Sequence, residues 1–348
     1  MKGRLENKIK TEQKIDRMIA NMPEYMHRYY YSISLKTHKT KERYIENVIR
    51  FLNTYGNGKD VSLEMLNKVD AFVIQKYISS ISYYEKDGSI MELSNASKAC
   101  NISCLSSFFR FLTANGFVQK NPFDGGAIDR PKPQEKEVIF LSKDEVKKVE
   151  KAILDGVGTK RSIARQKNWK YRDFCLFWLP VINGIRVGAL SEINIEDIDF
   201  NDNSILVVEK GNRITRIYFN DKAALYLKLW IEQRKEAIER CEKMRKNSDN
   251  PEDYEPIDYN ALFISNTGSR ITVTSIERII EKYTEGSIGR HISPHKLRAT
   301  FATHLYGETR DIELTSKALH HKSTTPTQKY VKVFDQDIRN AVNIGLYN

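Results

Sequence analysis

The chain has 348 residues, enough for two ordinary domains with cores of their own. Forty per cent apolar and 29% charged residues exclude a disordered chain, and the longest apolar run, Phe174 to Ile182, is too short for a bilayer span. An excess of 56 Lys and Arg over 45 Asp and Glu gives a net charge of +11, which points to a polyanionic partner, nucleic acid above all.

The first residues, "MKGRLENKIKTEQK", are charged throughout and hold no signal-peptide core, so a cytoplasmic protein is expected. From Thr40, "TKERYIENVIRFLNTYG" places Tyr44, Val48, Phe51 and Leu52 on one helical face, closed by Gly56. "DAFVIQKYISSIS" predicts a second helix, "YEKDGSIMELSNAS" a polar break, and "KACNISCLSSFFRFLTANG" a third helix ended by Gly116. Together these predict a small helical bundle. Cys100 and Cys104, four apart in a helical pattern, fit small core positions better than metal ligands. No cofactor and no metal are expected.

"NPFDGGAIDRPKPQEKEV", with three prolines and two glycines, reads as the linker. After it, Ser142 and Glu145 form a capping-box pattern, and "YRDFCLFWLPVING" is apolar on nearly every side, as a helix through a core would be. "SILVVEKGNRITRIYF" predicts a β-hairpin turning at Gly-Asn. A charged helix, "ALYLKLWIEQRKEAIERCEKMRK", an acidic loop and a short strand, "ALFIS", follow, and the remainder is helical. The predicted fold class is mainly α with a small β-hairpin or sheet, in two domains.

Four stretches carry candidate chemistry. Arg186 follows a glycine at a helix boundary, and Lys210 stands at the hairpin turn. In "SPHKLRATFATHL", Ser293 is placed to cap and Pro294 to open a helix on which His295 and Arg298 share a face. In "ALHHKSTTPTQKYVKV", two adjacent histidines precede a lone tyrosine, with His321 nine residues before Tyr330. Taken singly, each is ordinarily a solvated or ion-paired side chain. In this order they form a pattern.

That pattern resembles the tyrosine recombinase (phage integrase, Xer-like) family over residues 25 to 345. "NGIRVGALSEINIEDID" is similar to its first arginine box, "VEKGNRITRIYF" to its lysine hairpin, "HKLRATFATHL" to its H-x-x-R box and "LHHKSTTPTQKYVKV" to the segment ending in the nucleophile. "SSFFRFLTANGFVQKNPF" looks like the last helix of its core-binding domain. The resemblance implies a basic extension at 1–24, a helical core-binding (SAM-like) domain at 25–125, a linker at 126–140, a catalytic domain at 141–333 and a tail helix at 334–348. It implies six catalytic residues: Arg186, Lys210, His295, Arg298, His321 and Tyr330. His320 stands where the family often has glycine. Ala189 stands where the family commonly has an acidic residue that orients its neighbours, and Glu192, three residues on, is not in register to replace it.

The residue types suit metal-free transfer of a phosphodiester. Two guanidiniums can each give parallel hydrogen bonds to phosphate oxygens as negative charge builds. A phenol, with an ordinary pKa of about 10, needs a base and a cationic pocket before it attacks. The resemblance assigns attack to Tyr330, the base to His295, phosphate contact to His321 and the leaving-group proton to Lys210. It implies a site-specific recombinase acting on a double-stranded DNA recombination site as a tetramer, with the tail docking between protomers. Integration or excision of a mobile element is the expected task. Xer-type chromosome-dimer resolution is the alternative, followed by type IB topoisomerase-like relaxation and by a catalytically idle DNA-binding protein. No membrane partner is expected, and the protein would associate with the nucleoid when bound to DNA.

Overall fold

The structure is a computed structural model that describes residues 2–86, 88–132, 137–209, 213–250, 252, 254–331 and 333. The chain divides into two compact units, Met1–Lys136 and Glu137–Asn348. Among the described residues no helix is long and apolar enough to cross a membrane.

The first unit contains helices α1 (Lys2–Ile19), α2 (Glu24–Ser32), α3 (His38–Tyr55), α4 (Leu63–Asn67) and α5 (Ala71–Ser80), then strands β1 (Tyr83–Lys86) and β2 (Ser89–Glu92), then α6 (Asn95–Ala114). Thr37, Ser62, Asp70 and Ser94 each cap a helix by accepting a backbone N–H with the side chain. Val48, Phe51 and Leu52 of α3 are buried against Leu105, Phe108, Phe109 and Leu112 of α6. Each large side chain so buried contributes about 1.5–3 kcal/mol before chain entropy is subtracted.

Two features of this unit differ from the sequence reading. The segment 1–24, expected as an extension, is built into the unit: Ile15 and Ile19 of α1 lie in its core, and Lys14 reaches Glu42 and Glu46 of α3 at 2.5 and 2.9 Å. The polar break is an antiparallel hairpin, with Tyr84 opposite Met91 and Glu85 opposite Ile90. Its signal was the Asp87-Gly88 pair, a turn dipeptide, and Gly88 has φ +75°. The hairpin side chains described are exposed, so no hydrophobic periodicity marked them.

The expected linker, 126–140, is divided between the units. Ile128 packs on the first core, while Gln75 and Asn95 donate to the carbonyls of Ala127 and Lys132. On the other side of the boundary, Val138 and Phe140 pack within the second unit, which therefore starts before residue 141.

The second unit contains α7 (Lys143–Asp155), α8 (Lys160–Gln166), α9 (Lys170–Asn183), α10 (Val187–Leu190), strands β3 (Ile198–Asp199), β4 (Ser204–Val208) and β5 (Ile214–Tyr218), then α11 (Asp221–Lys246), α12 (Val273–Ile288), α13 (Pro294–Thr309), α14 (Ile312–Ala318) and α15 (Gln328–Val331). The capping box forms as expected: Ser142 Oγ accepts from the Glu145 amide, and the Glu145 carboxylate accepts from the Ser142 amide at 2.8 Å. Helix α9 runs through the core with α7, α11, α12 and α13 against it, and Phe174, Leu176, Phe177 and Leu179 are fully buried. Its first turn is tied down by a buried polar knot. Arg172 donates to Asp173 and to the Ile264 carbonyl, and Tyr283 donates to Asp173 at 2.9 Å.

The predicted hairpin is present as β4–β5, and β3 extends it to an antiparallel sheet in the order β3-β4-β5. Ile205, Val207 and Ile217 face the core, while Leu206 and Ile214 face out. Its turn, residues 210–212, lies outside the described residues. The expected strand "ALFIS" is not a ladder strand. It makes isolated bridges, Ala261 to Asn194 and Ile264 to Arg270, and its other polar groups pair with loops and with the Trp230 indole, which donates to Leu262 O. Burial without a neighbouring strand explains its β-like composition.

Candidate active site

Three chain segments converge in the second unit. The first leaves the end of α9. Gly184 ends that helix at φ +66°, a conformation that a side chain strongly disfavours. A Cβ there would also come within 2.6 Å of Phe301 Cδ1 and 3.0 Å of Leu319 Cδ2. Two residues later Arg186 takes the N-cap position of α10 with extended backbone, which aims its side chain away from the helix. Ala189, on α10, is buried in the apolar core.

The second segment is α13. Pro294 opens it, as its ring geometry favours, and Ser293 occupies the N-cap position, although its side chain makes no capping bond. Leu297 is buried on one side of the helix. Arg298 is buried too, and its guanidinium is fixed by backbone acceptors: Nη1 donates to Gly184 O, and Nη2 to Leu319 O at 2.5 Å. These two carbonyls join the first and third segments through one side chain. Burial, and then the nearby Arg186, lower the Arg298 pKa to about 10, so it keeps its charge at neutral pH. His295, one turn earlier, is exposed.

The third segment runs from α14 to α15. His320 has φ +53°, the left-handed conformation that glycine adopts most easily, directly after the end of α14. The turn aims His321 inward. Its Nε2 lies 3.4 Å from Arg298 Nη2, and its Nδ1 lies 2.8 Å from Thr327 Oγ1. A guanidinium can only donate, so Nε2 accepts and Nδ1 carries the proton toward Thr327. Burial, then Arg298 and Arg186, push the His321 pKa down to about 4, and the ring is neutral at pH 7. Thr327, fully buried, was not among the sequence candidates. Tyr330 is 3% exposed, packed with Ala299, Ala302 and Leu319 and flanked by Val138 and Phe301. It is therefore a core residue of this unit and not a surface tyrosine.

A fourth group enters from the sheet. Glu209, directly after β4, has a side chain only 9% exposed, and its Oε1 lies 2.5 Å from Arg186 Nη1. Its charge also works against the depression of the Arg298 and His321 pKa values. Lys210, the next residue, lies outside the described residues. Of the six candidates, the structure thus brings together Arg186, Arg298 and His321 with Tyr330 beside them. It leaves His295 exposed on the first turn of α13. Among the described residues one trio, Glu281, Glu285 and His291, brings possible metal-ligand atoms within 4.8 Å of one another. It shares no residue with the arginine cluster, and Glu281 already pairs with His291 at 2.7 Å.

Comparison with known proteins gives one consistent result. Residues 140–337 match the family model described as the phage integrase family. The tyrosine recombinase XerC of Oceanobacillus iheyensis is 28% identical over 86% of this chain and 94% of its own. That of Thermodesulfovibrio yellowstonii is 30% identical over 80% and 81%. Among solved structures, the XerH recombinase bound to its difH substrate superposes with a TM-score of 0.61 at 19% identity, over 88% of this chain and 80% of that one. The Tn1549 transposon integrase in complex with circular intermediate DNA gives 0.61 at 18% identity, over 88% and 94%.

Proposed function

This chain belongs to the phage integrase family, the tyrosine-type site-specific DNA recombinases, and we propose that it cuts and rejoins DNA strands through Tyr330. The Tyr330 phenol oxygen attacks the scissile phosphorus, and His295 takes its proton. The bond to the 5′ oxygen breaks, and Lys210 protonates that oxygen as it leaves. A 3′-phosphotyrosyl link and a free 5′ hydroxyl result. Attack by a 5′ hydroxyl from another strand reverses these steps, so the bond energy is conserved and no nucleotide cofactor is consumed.

Arg186 and Arg298 hold the two non-bridging oxygens. The observation that carries this reading is the convergence of two guanidiniums and a histidine beside a tyrosine, from three segments of which the first lies more than a hundred residues before the other two. In the free protein His321 is neutral because burial, and then the two arginines, disfavour its charge. A phosphodiester between them adds one negative charge and draws a proton onto Nε2, from which the ring can donate to the phosphate. Because Tyr330 is covered, DNA binding also has to bring the phenol forward.

The first unit serves as the core-binding domain and the second as the catalytic domain, on a double-stranded recombination site with four protomers in the synapse. The excess of basic side chains supplies phosphate contacts, so binding weakens with salt. Two biological tasks use this chemistry. Segments beyond a minimal recombinase, the β1–β2 hairpin and the far end of α11, favour a mobile-element integrase. The Xer names of the curated relatives favour chromosome-dimer resolution. Recovery of circular element junctions from cells expressing the protein supports the first, and resolution of tandem chromosomal sites the second.

Tyr330→Phe removes only the attacking oxygen. It is expected to bind its site like the wild type and to yield no covalent band from a nicked suicide duplex on a denaturing gel. A covalent band from the variant would assign attack to another residue. Arg186→Lys is expected to fail as well, since an ammonium keeps the charge and loses the planar fork.

A further inference from the structure

The two arginines at the candidate centre are held in different ways. Arg298 is buried and locked by two backbone carbonyls, whereas Arg186 is one-third exposed and meets a carboxylate, Glu209 Oε1, at 2.5 Å. A long, partly exposed arginine has rotamer freedom to lose, and it would also be repelled by the guanidinium next to it. Glu209 opposes both effects. Its own side chain is 9% exposed, and its backbone is tied into the hairpin, where the Glu209 amide donates to Arg213 O at 2.8 Å. The carboxylate is therefore a fixed acceptor.

Position 189, one turn after Arg186, is an alanine buried in the apolar core and offers no acceptor. The pairing with Glu209 is single, through Nη1. A guanidinium has five N–H donors, and a bidentate grip on phosphate uses two, so Glu209 and a phosphodiester can be held together. A positioning role requires that compatibility, and the rate of Glu209→Ala tells it from one in which the carboxylate merely occupies the phosphate's place.

We infer that Glu209 is the positioning residue for Arg186, fixing from the sheet side an arginine that its own helix leaves without an acidic partner. Because Glu209 directly precedes Lys210, the contact also couples the placement of the hairpin to the placement of the arginine. The inference rests on the reading that Arg186 clamps the scissile phosphate.

The test uses the full chain on a nicked suicide duplex carrying its recombination site, with wild type and Tyr330→Phe as controls. Single-turnover cleavage, half-site affinity and melting temperature are measured for Glu209→Ala and Glu209→Gln. With Ala, cleavage is expected to slow roughly 10- to 100-fold, as for a misplaced catalytic group, while affinity and melting temperature stay at wild-type values. Gln is isosteric and keeps an acceptor oxygen, so it is expected to recover part of that loss. Cleavage by Glu209→Ala at or above the wild-type rate would overturn the inference, because Glu209 would then be idle or a block. Loss of affinity and melting temperature in step with cleavage, with no recovery by Gln, would assign Glu209 to the fold alone. If wild type itself forms no adduct, the clamp reading fails first, and this inference fails with it.

Discussion

His321 links the site to pH. A histidine in the unfolded chain titrates near 6.5, whereas burial and two arginines hold this one at about 4. Between those values the unfolded chain binds a proton that the native chain does not. Stability from this residue is therefore complete above about pH 6.5 and falls as pH drops toward about 4. Urea unfolding at two pH values, one on each side of 6.5, should show wild type losing more stability in acid than His321→Gln does. Equal losses would mean that His321 is not held neutral. Lys210 is tested by leaving-group chemistry. Lys210→Ala should cleave normal DNA slowly and recover on a duplex whose 5′ bridging atom is sulfur, since a thiolate leaves without a proton. Equal impairment on both substrates would make Lys210 a phosphate binder only.

Among the elements, the junction of α9 with α10 carries the most structural constraint. Gly184 combines a left-handed φ with close approach to Phe301 and Leu319, and its carbonyl is an acceptor for Arg298. Gly184→Ala adds a conformational cost of about 1–2 kcal/mol and an overpacking cost of about 1–3 kcal/mol. The denaturation midpoint should fall accordingly with an unchanged slope, and suicide cleavage should fall further than folding alone explains. Wild-type stability would show that the turn can rearrange and that the contact with Arg298 is not fixed. At the start of the same helix, the Arg172–Asp173–Tyr283 knot anchors α9 without touching the candidate centre. Removing one member of such a buried group typically costs about 3–5 kcal/mol.

At the scale of the whole molecule, the tail bears on assembly. Ile338, Val342 and Leu346 recur at helical spacing in a segment that lies outside the described residues. The helix expected from that spacing is too short to be stable alone and would need a surface on which to bury its apolar stripe. If that surface belongs to a neighbouring protomer, the chain truncated after Val333 should stay folded and bind one half-site. It should lose cooperative binding to the full site, and strand exchange with it. A collapse of thermal stability in the isolated truncated chain would place the stripe in its own core.

The sequence by itself determined the family and most of the helices. The faces of α3 and α6, the Ser142–Glu145 capping box, the all-round apolar character of α9 and the β4–β5 hairpin are set by residues within a few positions of one another. Periodicity and capping therefore expose them. The β1–β2 hairpin was harder to read, because its side chains face solvent on both sides and leave no alternation. "ALFIS" read as a strand because burial alone selects β-branched and aromatic residues. What only the tertiary structure decided is how the candidate groups are held. Arg186 meets Glu209 across 23 residues, and Arg298 reaches the carbonyls of Leu319 across 21 and of Gly184 across 114. Such contacts leave no local pattern. A carboxylate before a hairpin turn and a carbonyl after a helix are chemically ordinary in sequence, and only the packing of α9, α13 and the sheet brings them to the same arginines.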